Sequence, residues 1–360
     1  MSQVRRSRKG REPTIIDIAR ASGVSKTTVS RVLNGASNVA PETRARVLEA
    51  VRTFDYRVNA AARSLRTARS LLVGLLVPAI GNDVFGRVAE VLEEELRRHG
   101  VGVLIASSGW DAQGEAVALE SLRARRVDGF VLSLVDDRRP TIADELSSLG
   151  RPLVLIDREV RGVVADVVLT DMHGGIADGL RHLAGLGHRA IGVTSISLSV
   201  RPGREVAAAV DWARQELGLR DVEHIVVPYE RIDRRSGHEI ADRLSAIGAT
   251  AIVSCVPTPI TAGVLERFVE LGVRVPEDMS VVGFDDSELA AVVRPGLTVI
   301  TRQLDELSRA ASRQIISRLI DPQLRPRVES VHMQLVVRGS TAAPARRRAG
   351  EGVGALGAVG

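Results

Sequence analysis

The chain has 360 residues, of which 44% are apolar and 2% aromatic, with a single cysteine, Cys255, and a net charge of +5. That length suits two or three domains with aliphatic cores, and one thiol excludes an intrachain disulfide. The longest apolar run, residues 71–80, is broken by Gly74 and Pro78 and is too short to span a bilayer, and the basic N-terminus lacks the apolar stretch of a secretory signal. A cytoplasmic protein is therefore expected.

Charge is divided unevenly. Residues 1–70 carry fifteen Lys and Arg against five Asp and Glu, a balance of +10, so the remainder sums to −5. A basic head on an acidic body is the electrostatic footprint of nucleic-acid binding. Residues 1–12 alone would be a solvated basic arm, but Arg31, Arg44, Arg46, Arg52, Arg63 and Arg66 lie in patterned sequence.

Two short helices are predicted between Thr14 and Asn34. Thr14 with Asp17 forms a capping box, and Ile15, Ile18 and Ala19 share one face. Gly23 can take the positive φ of the turn, and Ser25 can cap the second helix. Val29, Val32 and Leu33 then face inward and leave Lys26, Thr27, Ser30 and Arg31 outside. Such cations and hydroxyls can meet phosphates and base edges in a major groove. The same pattern alone would also fit a plain helical hairpin. Pro41 opens a third helix, with Val47, Leu48, Val51 and Phe54 at helical spacing. Residues 59–67 are a short Ala-rich helical linker whose one large apolar residue is Leu65, too short to be stable alone.

From Leu72 onward strands alternate with amphipathic helices. Strands are predicted at 72–77, 101–105, 129–133 and 153–156, with helices at 84–98, 113–125 and 141–149 between them. A second series starts near 167–169 and continues with strands at 190–194, 224–227, 251–254 and 280–283. Its helices fall at 173–186, 204–217, 235–247 and 261–271. Buried strands alternating with helices mean parallel sheets covered on both faces, and two series mean two doubly wound lobes. A ligand would sit at the strand ends, in the cleft between the lobes. Residues 341–360, rich in Arg, Gly and Ala, read as a disordered tail.

In this order the motifs IIDIARASGVSKTTVSRVLNG, PETRARVLEAVRTFDY, NAAARSLRTARS, VDGFVLS, GLGHRAIGV and VPEDMSVVGFDD, followed by PGLTVI, make the chain resemble the lactose/galactose-repressor (LacI/GalR) family of bacterial transcription regulators. The resemblance implies an α/β fold class: a three-helix helix-turn-helix domain at 13–57, a hinge helix at 58–70, and a two-lobed, periplasmic-binding-protein-like region at 71–340. It implies a cytoplasmic homodimer, with no cofactor, no metal and no membrane contact. The dimer binds a palindromic double-stranded DNA operator under the control of a small-molecule effector.

Residue by residue, the resemblance gives Lys26 and Thr27 to base edges, with Arg31 reaching deeper. Thr14, Ser25, Thr28, Ser30 and Asn34 go to the phosphate backbone. Asn59 starts the hinge helix, and Leu65 is either a minor-groove wedge or a packing contact. In the effector cleft it gives Phe85 as an apolar wall, Asp157 and Asp285 as polar ligands, and Arg204 as a clamp. Asp285 fits a helix-start cap with Ser287 and Glu288 equally well.

The chain departs from the family pattern in places. Val58 stands where most relatives have Pro, and Ala40 where a Ser cap is common. Where relatives carry Asn-Asp to read sugar hydroxyls, this chain has Cys255-Val256-Pro257-Thr258-Pro259, and a usual Asp-Asn is Asp171-Met172. Hydroxyls buried without partners are costly, so a typical free sugar is not the expected effector. A solute-binding protein shares the two-lobed fold but would need a signal peptide and no basic head. An enzyme would need a motif, and the sequence has no P-loop, GxSxG, HExxH or clustered Cys/His. His182 and His188 are expected to cap a helix end.

Overall fold

The computed structural model describes residues 13–33, 36, 38–56 and 69–345, and the chain divides into two compact units at Ser70 and Leu71.

The first unit is three helices, α1 (Ile15–Ser22), α2 (Lys26–Leu33) and α3 (Pro41–Thr53). The Asp17 carboxylate accepts from the Thr14 backbone N–H at 2.9 Å and hydroxyl at 2.7 Å, which fixes the start of α1. Gly23 ends it at φ +66°, where a side chain would be strained. Ser25 accepts from the Thr28 N–H at 3.1 Å and starts α2. Pro41 opens α3, and Ala40 supplies no side-chain cap. Ile18, Ala19, Val29, Val32, Val47 and Ala50 form the core. Leu48 and Phe54, expected inside, are about 40% exposed, because the buried stripe of α3 runs through Val47, Ala50 and Val51 instead.

The second unit holds two six-stranded sheets. The first lobe begins with β1 (Leu72–Val77), α4 (Asp83–Arg98), β2 (Gly102–Ser107), α5 (Ala112–Ala124), β3 (Gly129–Leu132), α6 (Ile142–Ser148), β4 (Leu153–Ile156) and β5 (Asp166–Thr170). The second is built from α7 (Met172–Gly185), β6 (Ile191–Ile196), α8 (Arg201–Glu216), β7 (Val222–Val227), α9 (Arg234–Ala246), β8 (Ala251–Cys255), α10 (Thr258–Glu270), β9 (Ser280–Phe284), α11 (Glu288–Val292) and β10 (Thr298–Arg302). The chain then returns to the first lobe with α12 (Leu304–Ile320) and β11 (Val328–Val331), and closes the second with β12 (Met333–Val336). Sheet orders are β11-β5-β4-β3-β1-β2 and β12-β10-β9-β8-β6-β7. All pairings are parallel except β10 with β12, which is antiparallel.

Two expectations are corrected by this topology. The strand near 167–169 does not open the second series: β5 pairs with β4, so the first crossing between lobes lies between Thr170 and Met172. Two further crossings, at Gln303 and His332, come from elements after residue 300 that hydrophobic periodicity did not reveal.

Each sheet is covered on both faces, as parallel sheets require. In the first lobe α4 and α12 cover one face through Leu92, Leu96, Leu307 and Ile315, and α5 and α6 the other through Leu119, Leu122, Ile142 and Leu146. In the second, α7 and α8 oppose α9 and α10. Gly237 and Gly263 let α9 and α10 meet backbone to backbone, where a Cβ on either would overlap main-chain atoms.

The stretch after Thr341 is not wholly a loose tail. Ser340 donates to the Val281 carbonyl at 2.6 Å, the Ala342 N–H reaches Ser280 at 3.0 Å, and His182 meets Thr341 at 2.9 Å. His188 joins Thr250 (2.8 Å), Ser280 (3.0 Å) and the Ala342 carbonyl (2.8 Å). The two histidines therefore pin the C-terminal stretch to the second lobe rather than cap a helix. Residues 346–360 lie outside the described residues.

Burial lowers the pKa of His188, and also of His182 and His224, below the ordinary value of 6.5. The native state therefore keeps these rings neutral, while the unfolded chain takes up protons once pH drops below that value. Their stabilisation is present above pH 6.5 and is lost as pH falls through the lower folded values. Urea unfolding should show stability declining from pH 7 to pH 5. His188→Gln should flatten that decline, and an unchanged slope would mean that this ring does not carry it.

Candidate functional site

Two places concentrate functional side chains. The first is the outer face of α2. Lys26, Thr27 and Arg31 are exposed there, while Thr28 and Ser30 are half-buried. Ser25 and Thr28 are tied to each other at 2.9 Å at the start of the helix, and Thr14 is tied to Asp17. These three hydroxyls thus hold helix starts in place, whereas Lys26, Thr27 and Arg31 project from the rigid frame. Asn34, Asn59, Leu65 and Val58 lie outside the described residues.

The second is a cavity of about 670 Å³ between the two lobes, at the C-terminal ends of their strands. Phe85, Asp157 and Asp285 all line it, as expected. Phe85 belongs to a run of rings: its centroid is 6.1 Å from Trp110, which stacks at 5.2 Å on Tyr229 of the other lobe. Burial raises the Tyr229 hydroxyl to a pKa of about 12. Trp110, Asp157 and Asp285 have φ of +64°, +52° and +63°, left-handed values that ordinary side chains avoid and that cluster at ligand sites.

Arg302 lies at the centre of the cavity. It donates from Nε to Asp285 at 2.9 Å, makes a second, shorter bond to the same carboxylate, and stands 3.7 Å from Asp157 of the other lobe. Asp157 also accepts from the Thr170 backbone N–H and from its hydroxyl at 3.0 Å. Burial pulls the pKa of Arg302 down, but the two carboxylates together more than offset it, so the guanidinium stays charged. Asp285 is therefore an ion-pair partner; the cap it might have provided is supplied by Ser287, which accepts from the Ala290 N–H at 3.3 Å.

Arg204 is placed elsewhere. It is not among the residues lining the cavity; it reaches across the lobes to the buried carboxylate of Asp137, at 2.8 and 3.2 Å. Arg201 runs beside it, its backbone N–H on Asp137 at 3.0 Å and its guanidinium on the Thr170 carbonyl at 3.1 Å. Residues 255–257, where relatives carry Asn-Asp, line the cavity with no carboxylate or amide, and burial raises the pKa of the Cys255 thiol far above its usual value. Asp171 caps α7 through the Gly174 N–H, while Met172 faces the cavity.

Sequence reasoning missed Trp110, Asp137, Arg158 and Arg302. Arg302 lies two residues beyond PGLTVI, after Thr301, and could have been found from that motif. Asp137 lies 67 residues from its partner and left no local signal. Among the described residues, no group of three His, Cys, Asp or Glu could hold a metal ion, and no helix is long and apolar enough to cross a membrane.

Comparison with known proteins bears on both places. Residues 14–59 match the family described as bacterial regulatory proteins, lacI family, and residues 180–341 match a periplasmic binding protein-like domain. The chain is 34% identical over 342 residues to the HTH-type transcriptional regulator MalR of Streptomyces coelicolor, covering 92% of this chain and 98% of that one. It is 30% identical over 328 residues to the ribose operon repressor of Haemophilus influenzae, covering 91% and 98%. Among solved structures, the lac repressor dimer bound to operator and the anti-inducer ONPF superposes with a TM-score of 0.82 at 24% identity, over 92% of this chain and all of that one. That last likeness concerns the fold.

Removing the Arg302 charge leaves the buried Asp157 and the half-buried Asp285 without their shared cation. Arg302→Gln should cost about 3–5 kcal/mol of stability in urea unfolding. A loss below about 1 kcal/mol, the worth of a surface pair, would show that Arg302 is not the tie between the lobes.

Proposed function

Because the chain belongs to the lacI family of bacterial regulatory proteins, and is a DNA-binding transcriptional regulator rather than an enzyme, we propose that it is a cytoplasmic repressor. It holds a palindromic operator as a homodimer, and a small ligand in the interlobe cavity sets its affinity.

The observation that carries the switch is the ion bridge inside the cavity. Arg302 ties Asp285 of one lobe to Asp157 of the other where a ligand would sit. A ligand that contacts any of the three changes the bond across the lobes, and so has different affinities for different lobe angles. Differential affinity of that kind is what allosteric control requires.

On the DNA side, Lys26, Thr27 and Arg31 read base edges, while Thr14, Ser25, Thr28, Ser30 and Asn34 position the phosphates. Asn59 starts the hinge helix and Leu65 opens the minor groove at the operator centre. Ligand-driven ordering or melting of residues 59–67 would pass the lobe angle to the DNA. In the cavity Phe85, Asp157 and Asp285 contact the ligand, and Arg204 governs closure through Asp137 rather than by touching it. The apolar wall at 255–257 supports a ligand other than a typical free sugar.

Enrichment of genomic DNA fragments by the purified protein, at physiological salt with excess competitor DNA, tests this. A few fragments sharing a palindrome with a CG-like centre are expected. Arg31→Ala should then cost about 1–3 kcal/mol and relax base preference at one position of each half-site. Uniform weak recovery of all fragments, or full affinity and unchanged preference in the variant, would overturn it. Leu65→Ala should reduce DNA bending in a gel-phasing assay, and unchanged bending would remove the wedge.

A further inference from the structure

Among the described residues, one cation lining the cavity makes no salt bridge. Arg158 follows Asp157 at the end of β4, lines the cavity, and is only 3% exposed. Its hydrogen bonds go to two carbonyl oxygens, those of Leu134 and of Asp157. Two of its five N–H donors are thereby used. The other arginines of the cavity are committed to carboxylates: Arg87 to Asp305, and Arg302 to Asp157 and Asp285. Among the described residues Arg158 makes no salt bridge: the buried Glu115 carboxylate is near enough to feel its charge but is already bonded to Arg139 and to the Val135 N–H, and a buried charge without a hydrogen-bonded partner of its own is costly.

A second donor stands beside it. Ser133 follows the last residue of β3, which pairs with β4 in the register Leu132 with Leu155. It is 3% exposed, lines the same cavity, and makes no side-chain hydrogen bond within the described protein. The bond from Arg158 Nε to the Leu134 carbonyl brings its guanidinium to the backbone of the residue that follows this serine.

The rest of the cavity restricts what could fill the gap. Met172, Val206, Cys255, Val256 and Pro257 offer an apolar surface, and Phe85 and Trp110 offer ring faces. Asp157 and Asp285 stand nearby, so a dianion would meet about twice the repulsion that a single negative charge on Arg158 meets. A planar carboxylate matches the guanidinium fork.

We propose that the cavity takes a small organic monoanion, a carboxylate on an apolar body, with the carboxylate held by Arg158 and Ser133. This rests on the cavity being the effector site. It would also account for the loss of polyol partners at residues 255–257, since an apolar body needs none.

Trp110 makes the test direct. The chain has two tryptophans, so a Trp212→Phe background leaves Trp110 as the only one and as the reporter. Benzoate, phenylacetate and hexanoate should each perturb its fluorescence saturably, while benzamide, phenylacetamide, glucose and glucose 6-phosphate should not. Arg158→Gln should weaken the acids about 10- to 100-fold, and Ser133→Ala by a smaller factor. If Arg158→Gln does not fold by circular dichroism, each acid against its own amide on the parent protein still decides. Amides binding as well as acids, sugar or sugar phosphate binding in place of the acids, or no acid binding at all, would each overturn the proposal. Operator release is read separately, by anisotropy of a labelled fragment recovered from the genomic selection. Acid binding without release would uphold the anion site and refute ligand control. Release by glucose alone would do the reverse.

Discussion

Arg302 is the interaction on which the two-lobed unit turns. It is a mostly buried cation shared by Asp285 from its own lobe and Asp157 from the other. An ion pair across a moving boundary is worth little in water and much more where water is excluded. Its strength therefore depends on how closed the cleft is, and closure in turn depends on what fills the cleft. The Asp137–Arg204 pair and the Trp110–Tyr229 stack fasten the same boundary farther out. Together they give the lobes a set of contacts that a ligand can strengthen or break without touching either hydrophobic core.

The chain's path makes this control local. Three crossings join the lobes, at residues 170–172, 303 and 332, and two of them adjoin cavity residues: Met172 follows the first, and Arg302 and Leu304 flank the second. A change of lobe angle must be absorbed in these short connections, because the sheets are packed on both faces and do not bend easily. Asp157 and Asp285 hold left-handed φ values at the ends of β4 and β9, one in each lobe. Both carboxylates are thus aimed at one guanidinium by backbone that the surrounding sheets hold in a strained form.

Much of this was legible in the sequence, because much of it is local. The capping of α1 by Thr14 and Asp17, the turn at Gly23 and the Ser25 cap each depend on residues a few positions apart. The strands β1, β4 and β8 are short aliphatic runs between turn signals, and their limits were readable to within a residue. What stayed hidden is non-local or chemically quiet. Which sheet receives β5 is decided by hydrogen bonding to β4, not by its own composition. The long helix α12 buries Ser308, Ala310, Ala311, Ser312 and Gln314, so its inner face carries too little hydrophobic contrast to be seen as a stripe. At the site, Phe85, Asp157 and Asp285 could be placed by motif, but the partner of Arg204 could not, since ion pairs 67 residues apart leave no periodicity.

The chemistry of the cavity then follows from subtraction. A pocket that binds polyols must offer a polar partner for each hydroxyl, because every one left unpaired costs about 1–3 kcal/mol. Here the second lobe places Cys255, Val256, Pro257 and Met172 beside Thr258, Thr261 and Thr301, its Asp285 is paired with Arg302, and the Asp171 carboxylate is spent on the start of α7. The first lobe, by contrast, brings Arg158 to the cavity with no salt bridge among the described residues. The proposed ligand, charged at one end and apolar at the other, is the kind that such a wall facing the Arg158 guanidinium would select. Such a ligand would need few hydrogen bonds for affinity and would gain specificity from the one charge it must satisfy.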